Sequence, residues 1–204
     1  MKTLESPVLS IGAGNMAYAI LNGAQNASVL PHDRLAVLDP NSVRRALFAN
    51  AFESPRGAVE WINALDGDRP LILLAVKPQM LRDAVQPLID AMNAYDCPSC
   101  TWVSILAGSR IDTIQSLVRV DDRVIRVMPN TPAQIGLGMT AIASDNDPEA
   151  SDLQSVRTLF EAVGEVIEIP ESMIDAFTAV AGSGPAYLFY LAEGMMRAAE
   201  SIGF

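Results

Sequence analysis

The sequence is poor in the residue types that most often carry metal binding and acid–base catalysis. Its 204 residues include one histidine, His32, and two cysteines, Cys97 and Cys100. A structural zinc site needs about four ligands, and these side chains supply too few. His32 lies in a polar connection, so we expect it on the surface rather than in an active site. We therefore predict no metal site, and the sequence singles out no catalytic residue.

The two cysteines form an isolated C-x-x-C in the loop 96–100. In a typical redox pair the first cysteine begins a helix, where its pKa is lowered. This pair instead precedes a strand-like run. We expect Cys97 and Cys100 to be loop thiols on the solvent side.

Basic residues are also scarce. Lysine and arginine number 14 against 24 acidic residues, which gives a net charge of −10. No Lys/Arg-rich stripe is present, so we expect no nucleic-acid partner. No apolar run approaches the ~18 residues of a membrane span, and residues 1–7 lack the apolar core of a signal peptide. We expect a cytoplasmic protein with no membrane contact, and the 50% hydrophobic composition is enough to build a substantial core.

The N-terminal stretch Val8–Ala17 is an apolar run that breaks into glycines and reopens as a helix. It has the pattern G-x-G-x-x-A. In dinucleotide-binding folds the position of Gly12 permits a tight turn, that of Gly14 lets the backbone approach a pyrophosphate, and that of Ala17 allows close helix–strand packing. A glycine-rich turn with a purely structural role remains the alternative.

Predicted strands and helices alternate along the chain. Expected strands cover 34–38, 51–52, 70–76, 101–106, 123–128, 138–143 and 166–169, and expected helices cover 16–27, 42–50, 55–65, 80–92, 111–117 and 148–163, the last beginning in the acidic turn 145–147. This alternation predicts an α/β fold with a doubly wound, Rossmann-like, mostly parallel sheet. Ligands of such sheets bind beyond the carboxyl ends of the strands. Conspicuous residues fall at these ends, namely 12–14, Asp39, 75–78, 107–108 and 128–130.

Asp39 ends the second predicted strand, where such folds hydrogen-bond the adenosine ribose. Its carboxylate favours the free 2′-hydroxyl of NAD and repels the 2′-phosphate of NADP. Arg44 and Arg45 follow closely and allow two interpretations, a phosphate-binding pair or an exposed helix face.

The C-terminal part of the sequence is predicted to be helical. One helix is expected to begin with a weak capping box, in which Ser172 is the N-cap and Asp175 bonds back to the Ser172 backbone. A break at 182–185 precedes a second helix over 186–202. The last helix is apolar on most sides and must be covered by something. We expect its partner surface to be missing from this polypeptide or supplied by another chain.

Four ordered motifs resemble the pyrroline-5-carboxylate reductase family along essentially the whole chain: 11–17, 75–78, 126–132 and 182–187. The resemblance implies a dinucleotide-binding domain over 1–169 and the beginning of an all-helical dimerisation and substrate domain over 170–204. It implies hydride transfer from NADP(H), with NAD(H) possible, to the cyclic imine 1-pyrroline-5-carboxylate, which gives L-proline. It also implies a homodimer or higher homo-oligomer for the full-length protein.

The resemblance assigns residues to two sites. Cofactor contacts would fall on Ile11, Gly12, Ala13, Gly14, Asn15, Met16, Ala75, Val76, Lys77, Pro78, Ala107 and Gly108, in addition to Asp39 and Arg44. Substrate contacts would fall on Met128, Pro129, Glu171, Val180, Gly182, Ser183 and Gly184. For Lys77 the alternative is a solvated cation at the rim of the sheet, and for Glu171 a carboxylate that favours a helix start.

The expected mechanism needs no strong protein acid. An imine protonated to an iminium accepts hydride directly, so positioning dominates, and backbone N–H groups of 182–184 would bind the substrate carboxylate. The sequence departs from the family in having Asp39 where some relatives have serine for the NADP phosphate. It also ends before several helices that complete the substrate pocket in relatives. Two alternatives follow: a catalytically incomplete nucleotide-binding fragment, or a reductase of another imine or of a hydroxyacid.

Overall fold

The computed structural model describes residues 3–143 and 150–204. Eight strands form one sheet in the order β3-β2-β1-β4-β5-β6-β7-β8. The strands are β1 (Val8–Ile11), β2 (Leu35–Leu38), β3 (Ala51–Phe52), β4 (Leu71–Leu74), β5 (Thr101–Ser104), β6 (Arg123–Met128), β7 (Gly138–Ala143) and β8 (Gly164–Glu168). The first six strands are parallel, which confirms the predicted doubly wound, Rossmann-like fold class.

Eight α-helices accompany the sheet in the described residues. They are α1 (Asn15–Asn26), α2 (Ser42–Arg45), α3 (Pro55–Asn63), α4 (Leu81–Ala94), α5 (Ile111–Gln115), α6 (Ala150–Glu161), α7 (Ile174–Phe177) and α8 (Gly184–Ser201). Short 3-10 turns lie at His32–Arg34, Pro78–Met80, Thr131–Ile135 and Glu171–Met173, and a π-helix covers Thr178–Gly182. The acidic turn expected at 145–147, with the proline that follows it, lies outside the described residues.

The core has two layers because the central strands are buried on both faces. Alternate residues of each strand enter different clusters: Val8 of β1 packs with α1 and α6, and Leu9 packs with α3, α4 and α5. Burial on both faces explains why these strands have continuous apolar sequences. Helices on both sides of the sheet hold its carboxyl edge rigidly.

The strand order reverses between β1 and β4. From β1 the chain moves outward through β2 to β3, then returns to the other side of β1 as β4, with Ile11 opposite Leu74. A crevice opens where neighbouring connections leave in opposite directions, and this is where open α/β sheets bind ligands.

Several expectations were wrong in detail. The helix expected over 42–50 ends at Arg45, and the predicted capping box does not form, because Asp175 pairs with Arg126 at 3.1 Å. The cysteines are not on the solvent side. Both are buried, because the loop after α4 folds under the sheet and joins the cluster around Trp102. The strand β7, whose direction the sequence did not reveal, runs antiparallel to β6.

Helix α8 is exposed along almost its entire length, in agreement with the expectation that its covering surface is not supplied by the described residues. Its side chains include Tyr187, Leu188, Phe189, Tyr190, Leu191, Met195 and Met196, each at least 60% exposed. None of the helices in the described residues has the length and apolar character needed to cross a bilayer.

Candidate active site

The turn after β1 forms the floor of the crevice. Gly12 has a φ of +94°, in the left-handed region that L side chains rarely adopt. A Cβ at this position would lie 2.7 Å from the carbonyl oxygen of Ala75 on the neighbouring strand. The Gly12 N–H donates to Leu38 at 2.9 Å, and its carbonyl accepts from the Ser10 hydroxyl at 2.7 Å. Gly12 therefore holds the connections of β1, β2 and β4 close together.

Gly14 has a different role. It is the N-cap of α1, with ordinary φ of −69°, and a Cβ there would meet no atom within 4 Å. No side chain caps the helix, so the amides of its first turn point toward the crevice without an intrahelical partner. An exposed helix start with open space above Gly14 is suited to a pyrophosphate.

Asp39 follows β2 and contacts the glycine turn directly. One carboxylate oxygen accepts from the Ala13 N–H at 2.8 Å, and the other accepts from the Asn41 N–H at 2.8 Å. The carboxylate thus holds the glycine turn in place from the end of β2. The sequence predicted the position of Asp39, but it did not indicate this structural contact.

The two arginines after Asp39, Arg44 and Arg45, contact different parts of the molecule. Arg45 donates to the carbonyls of Asp39 and Pro40 at 2.7 and 2.8 Å and pairs with Glu53 at 3.0 Å. Arg44 instead reaches back to the Asn15 side-chain oxygen at 3.0 Å, at the start of α1. Neither side chain lies on a fully exposed helix face. Of the pair, Arg44 is the one placed at the glycine turn.

A cavity of about 430 Å³ joins the predicted cofactor residues of three strands. It is lined by Ile11, Gly12, Gly14, Leu38, Asp39, Pro40, Glu53, Pro55, Ala75, Val76, Lys77, Met80, Asp83, Ala84 and Pro87. Its lining is mostly apolar. A mostly apolar cleft of this size suits a flat, weakly polar ring.

A second cavity of about 250 Å³ lies on the other side of Ala75 and Val76. It is lined by those two residues together with Met16, Ile105, Met128 and Pro129. The residues predicted for the cofactor and for the substrate therefore meet at the ends of β4, β5 and β6. Ala107 and Gly108 line neither cavity and lie on the exposed connection beyond Ile105. Pro78, also predicted for the cofactor, is exposed as well and lines neither cavity.

Lys77 is exposed at the rim of the first cavity. This position fits both interpretations of its role, a cofactor contact and a solvated cation, so its assignment stays a prediction. A separate, larger cleft runs along α1 past Asn15 and Arg44 to the 3-10 turn Thr131–Ile135.

The helical segment after β8 is tied to the sheet by a buried ionic cluster. Glu171, 6% exposed, accepts from the Ile111 N–H at 2.7 Å and from Arg126 at 3.2 Å. Arg126, 3% exposed, also reaches Asp175. The Glu171 carboxylate thus has a structural task, and its predicted contact with substrate stays a prediction. Arg126 was missed, although a lone cation inside an apolar strand signals a buried partner.

Asn130 connects the sheet to the π-helix. Its amide donates to the Ala181 carbonyl at 3.0 Å, and its oxygen accepts from the Met139 N–H at 2.9 Å. A Cβ at Gly182 would lie 3.7 Å from the Met128 methyl, so the π-helix borders the second cavity. The π-helix is rare and often marks functional sites. The sequence placed Asn130 at a strand end, but it did not indicate these two contacts.

The predicted carboxylate-binding turn is only partly available. The Ser183 N–H donates to the Thr178 carbonyl at 2.7 Å, in the hydrogen-bond pattern of the π-helix. Val180 is largely exposed, whereas Gly182, Ser183 and Gly184 are half-buried. A substrate contact from the Ser183 amide would therefore compete with an existing hydrogen bond.

A glycine turn at the switch point of a parallel sheet, with an uncapped helix start and an adjoining apolar cavity, defines a dinucleotide-binding protein of the Rossmann class. Comparison with known proteins agrees. A family model described as NADP oxidoreductase, coenzyme F420-dependent, matches residues 8–107, and one described as pyrroline-5-carboxylate reductase dimerisation matches residues 171–204.

Individual relatives are more specific. The chain is 38% identical to a pyrroline-5-carboxylate reductase of Synechocystis, over 91% of this chain and 66% of the relative, and 35% identical to one of Haemophilus influenzae, over 92% and 67%. A solved Plasmodium falciparum pyrroline carboxylate reductase with NADP bound superposes with a TM-score of 0.80 at 25% identity, over 100% of this chain and 72% of that one. The chain belongs to the pyrroline-5-carboxylate reductase family, and it spans about two thirds of the length of these curated relatives.

Proposed function

We propose that the full-length protein reduces 1-pyrroline-5-carboxylate to L-proline with NADP(H) as the hydride donor. The observation that carries the proposal is the junction of the two cavities at Ala75 and Val76. One cavity contains the glycine turn, and the other contains Met128 and Pro129, the positions that correspond to substrate contacts in the family. A ring bound in the first cavity would lie beside a small substrate in the second.

The residues of the first cavity fit a dinucleotide. Open space above Gly14 and the uncapped start of α1 suit the pyrophosphate, and Asp39 lies where the adenosine ribose binds in such folds. The bound cofactor supplies hydride. NADP(H) is favoured because the Plasmodium relative is described with NADP bound, and Arg44 is placed to meet a phosphate. Asp39 leaves NAD(H) as a second donor.

The remaining work of the protein is positioning. An iminium carbon accepts hydride without help from a strong acid. The chain must therefore hold the nicotinamide ring next to the substrate and exclude water. Met16, Ile105 and Met128 provide apolar walls for this. His32 precedes β2, at the edge of the sheet opposite the cavities, where it is exposed and pairs with Gln25 at 2.8 Å. It is too remote to act on the substrate.

Residues 170–204 form the start of a helical dimerisation domain in this proposal, following a dinucleotide-binding domain over 1–169. The dimerisation model matches this region, and α8 presents an uncovered apolar surface. We propose that a second copy of the chain covers α8 in a homodimer or higher homo-oligomer. A cytoplasmic location suits the two unpaired thiols, since disulfides are favoured in oxidising compartments.

Steady-state turnover tests the proposal. The full-length protein should oxidise NADPH in the presence of 1-pyrroline-5-carboxylate and release proline, and NADH should support a lower kcat/KM. Turnover with another imine or a hydroxyacid, and none with 1-pyrroline-5-carboxylate, would refute the substrate assignment. The 204-residue chain is the matched comparison. If it binds cofactor without turnover, the substrate pocket needs residues that this chain does not supply.

A further inference from the structure

The C-x-x-C pair lies outside the proposed active site. Cys97 and Cys100 occupy the loop between α4 and β5, at the amino ends of the strands, whereas both cavities lie at the carboxyl ends. Asp96 has a φ of +48°, and this left-handed residue turns the chain sharply after α4, so that Cys97 enters the core. Nothing in the proposed reaction uses these thiols.

The loop that carries the pair is held at four points. The Cys97 N–H donates to Met92 at 3.0 Å, and Arg119 donates to the carbonyls of Cys97 and Pro98 at 2.8 and 2.7 Å. The Cys100 N–H donates to the Asp122 carboxylate at 2.8 Å. These bonds fix the backbone at each cysteine, so both thiols keep their places in one buried loop.

Asp122 and Arg119 are themselves fixed. Asp122 is 3% exposed, pairs with Arg119 at 2.8 Å and accepts from the Trp102 indole N–H at 3.0 Å. The cluster thus places one guanidinium and one carboxylate beside the thiols. Within residues 3–143 and 150–204, no group of three or more metal-ligating side chains is arranged to hold a metal ion, so the pair falls short of a zinc site.

The two thiols differ in character. The neighbouring Cys100 side chain lowers the pKa of Cys97, and the Arg119 guanidinium lowers it further. The Cys97 side chain and deep burial raise the pKa of Cys100 well above its ordinary value, and the Cys100 thiol also lies 3.3 Å from the Pro98 carbonyl oxygen. Cys97 is 6% exposed and has exposed neighbours on both sides, whereas Cys100 is fully buried. A thiol whose pKa is lowered, followed by a partner thiol whose pKa is raised, is the arrangement of an attacking and a resolving cysteine in a redox dithiol.

We propose that Cys97 and Cys100 are a redox-active dithiol, which a hydroperoxide oxidises to a disulfide within the folded loop. The Cys97 thiolate attacks the terminal peroxide oxygen, so that an S–O bond forms, the O–O bond breaks and an alcohol or water leaves after taking up a proton. The Cys100 sulfur then attacks the Cys97 sulfenic acid. An S–S bond forms, the S–O bond breaks, and the hydroxide leaves as water with the Cys100 proton. The two thiols lose two electrons, which reduce the peroxide.

The structure favours this chemistry over random thiol oxidation in two ways. The neighbouring sulfur atoms make the second step intramolecular, which raises its effective concentration. The resulting disulfide is uncharged, so it removes the cost of a thiolate in a buried cluster. An external dithiol would reverse the reaction by exchange.

Peptide mass spectrometry of the purified, fully reduced protein tests the proposal. Exposure to hydrogen peroxide should join Cys97 to Cys100 with the loss of two hydrogen atoms, and dithiothreitol should restore both thiols. Circular dichroism recorded in parallel shows that the fold is retained. Persistence of both thiols in the folded protein, while the urea-unfolded protein oxidises, would overturn the proposal.

Two variants test the order of the steps. Cys100→Ser should trap the sulfenic acid at Cys97 as a dimedone adduct. Cys97→Ser should form an adduct at Cys100 at roughly one tenth of that rate or less. Equal labelling in both variants, or faster labelling of Cys100, would contradict the assignment of Cys97 as the attacking thiol. The disulfide measurement on the unsubstituted protein does not depend on the folding of either variant.

Discussion

Gly12 and Gly14 lie two residues apart in one turn, but alanine should have a different effect at each position. It should lower the stability of the protein at Gly12 and the affinity for NADPH at Gly14. At Gly12 the new methyl group meets the Ala75 carbonyl at 2.7 Å and the Val76 side chain at 3.2 Å, on a backbone with φ of +94°. A non-glycine residue in such a conformation costs about 1–3 kcal/mol. Overpacking against backbone adds about 1–3 kcal/mol. We expect Gly12→Ala to lower the free energy of unfolding by roughly 2–6 kcal/mol.

Gly14→Ala is the matched control for stability. Its φ of −69° is open to alanine, and its Cβ meets nothing within 4 Å, so the cost is limited to a poorer N-cap, under about 1 kcal/mol. The methyl group nevertheless occupies the space through which a pyrophosphate approaches the helix start. We expect NADPH affinity to fall about tenfold or more, a loss of about 1.4 kcal/mol.

Thermal unfolding followed by circular dichroism and calorimetric titration with NADPH separate the two effects. For a chain of this size each kcal/mol corresponds to about 2–4 °C, so Gly12→Ala should unfold roughly 5–20 °C earlier. Gly14→Ala should unfold within a few degrees of the parent. A Gly14→Ala variant that binds NADPH as tightly as the parent would refute the assignment of the turn to the pyrophosphate. An unchanged midpoint for Gly12→Ala would refute the steric argument.

Three further predictions follow from the contacts of the site. Asp39→Asn leaves one amide of the Ala13 and Asn41 pair without an acceptor, so NADH should bind about fivefold more weakly, while loss of the negative charge should offset this weakening for NADPH and so raise the preference for NADPH over NADH in calorimetric titrations; an unchanged preference would contradict the placement of Asp39 at the ribose. Glu171→Gln leaves buried Arg126 with one weaker partner and should cost about 3 kcal/mol in urea unfolding, whereas Asp175→Asn, whose parent side chain is 84% exposed, should cost under about 1 kcal/mol; equal costs would be inconsistent with the burial of the cluster. In the full-length protein Leu188→Glu should shift light-scattering mass toward the monomer, while Val120→Glu, at a 96% exposed position away from α8, should not; a retained oligomer would rule out α8 as the interface.

Local signals in the sequence predicted the strands well. The bounds of β6 and β7 match the structure residue for residue, because each is a short, mostly apolar run bounded by proline, glycine or a change to polar residues. The glycine turn was predictable for a similar reason. A short apolar strand followed by G-x-G-x-x-A has few alternative structures. Residues around Gly12 and Asp39 could therefore be assigned to one edge of the sheet before their contacts were known.

What the sequence did not reveal depends on contacts between distant residues. Nothing near β7 indicates that it runs antiparallel to β6, since direction is set by how residues 129–137 fold back. The burial of Cys97 and Cys100 depends on Arg119 and Asp122, which lie beyond β5 and α5 in the chain. The polar composition of the loop that carries the cysteines could not show that the Arg119 guanidinium would cover this loop.

The segment after β8 shows why such contacts decide the site. Its apolar packing against the sheet is small, consisting of Ile174 and Phe177 with a few residues of β6, β7 and β8. Directional polar bonds do the rest: Glu171 binds the Ile111 amide and Arg126, and Asn130 binds Ala181. Hydrophobic contact alone would let this segment slide over the sheet. Buried hydrogen bonds are costly to leave unmade, so they specify one orientation of the segment. The π-helix is therefore held beside Met128, a residue that lines the second cavity.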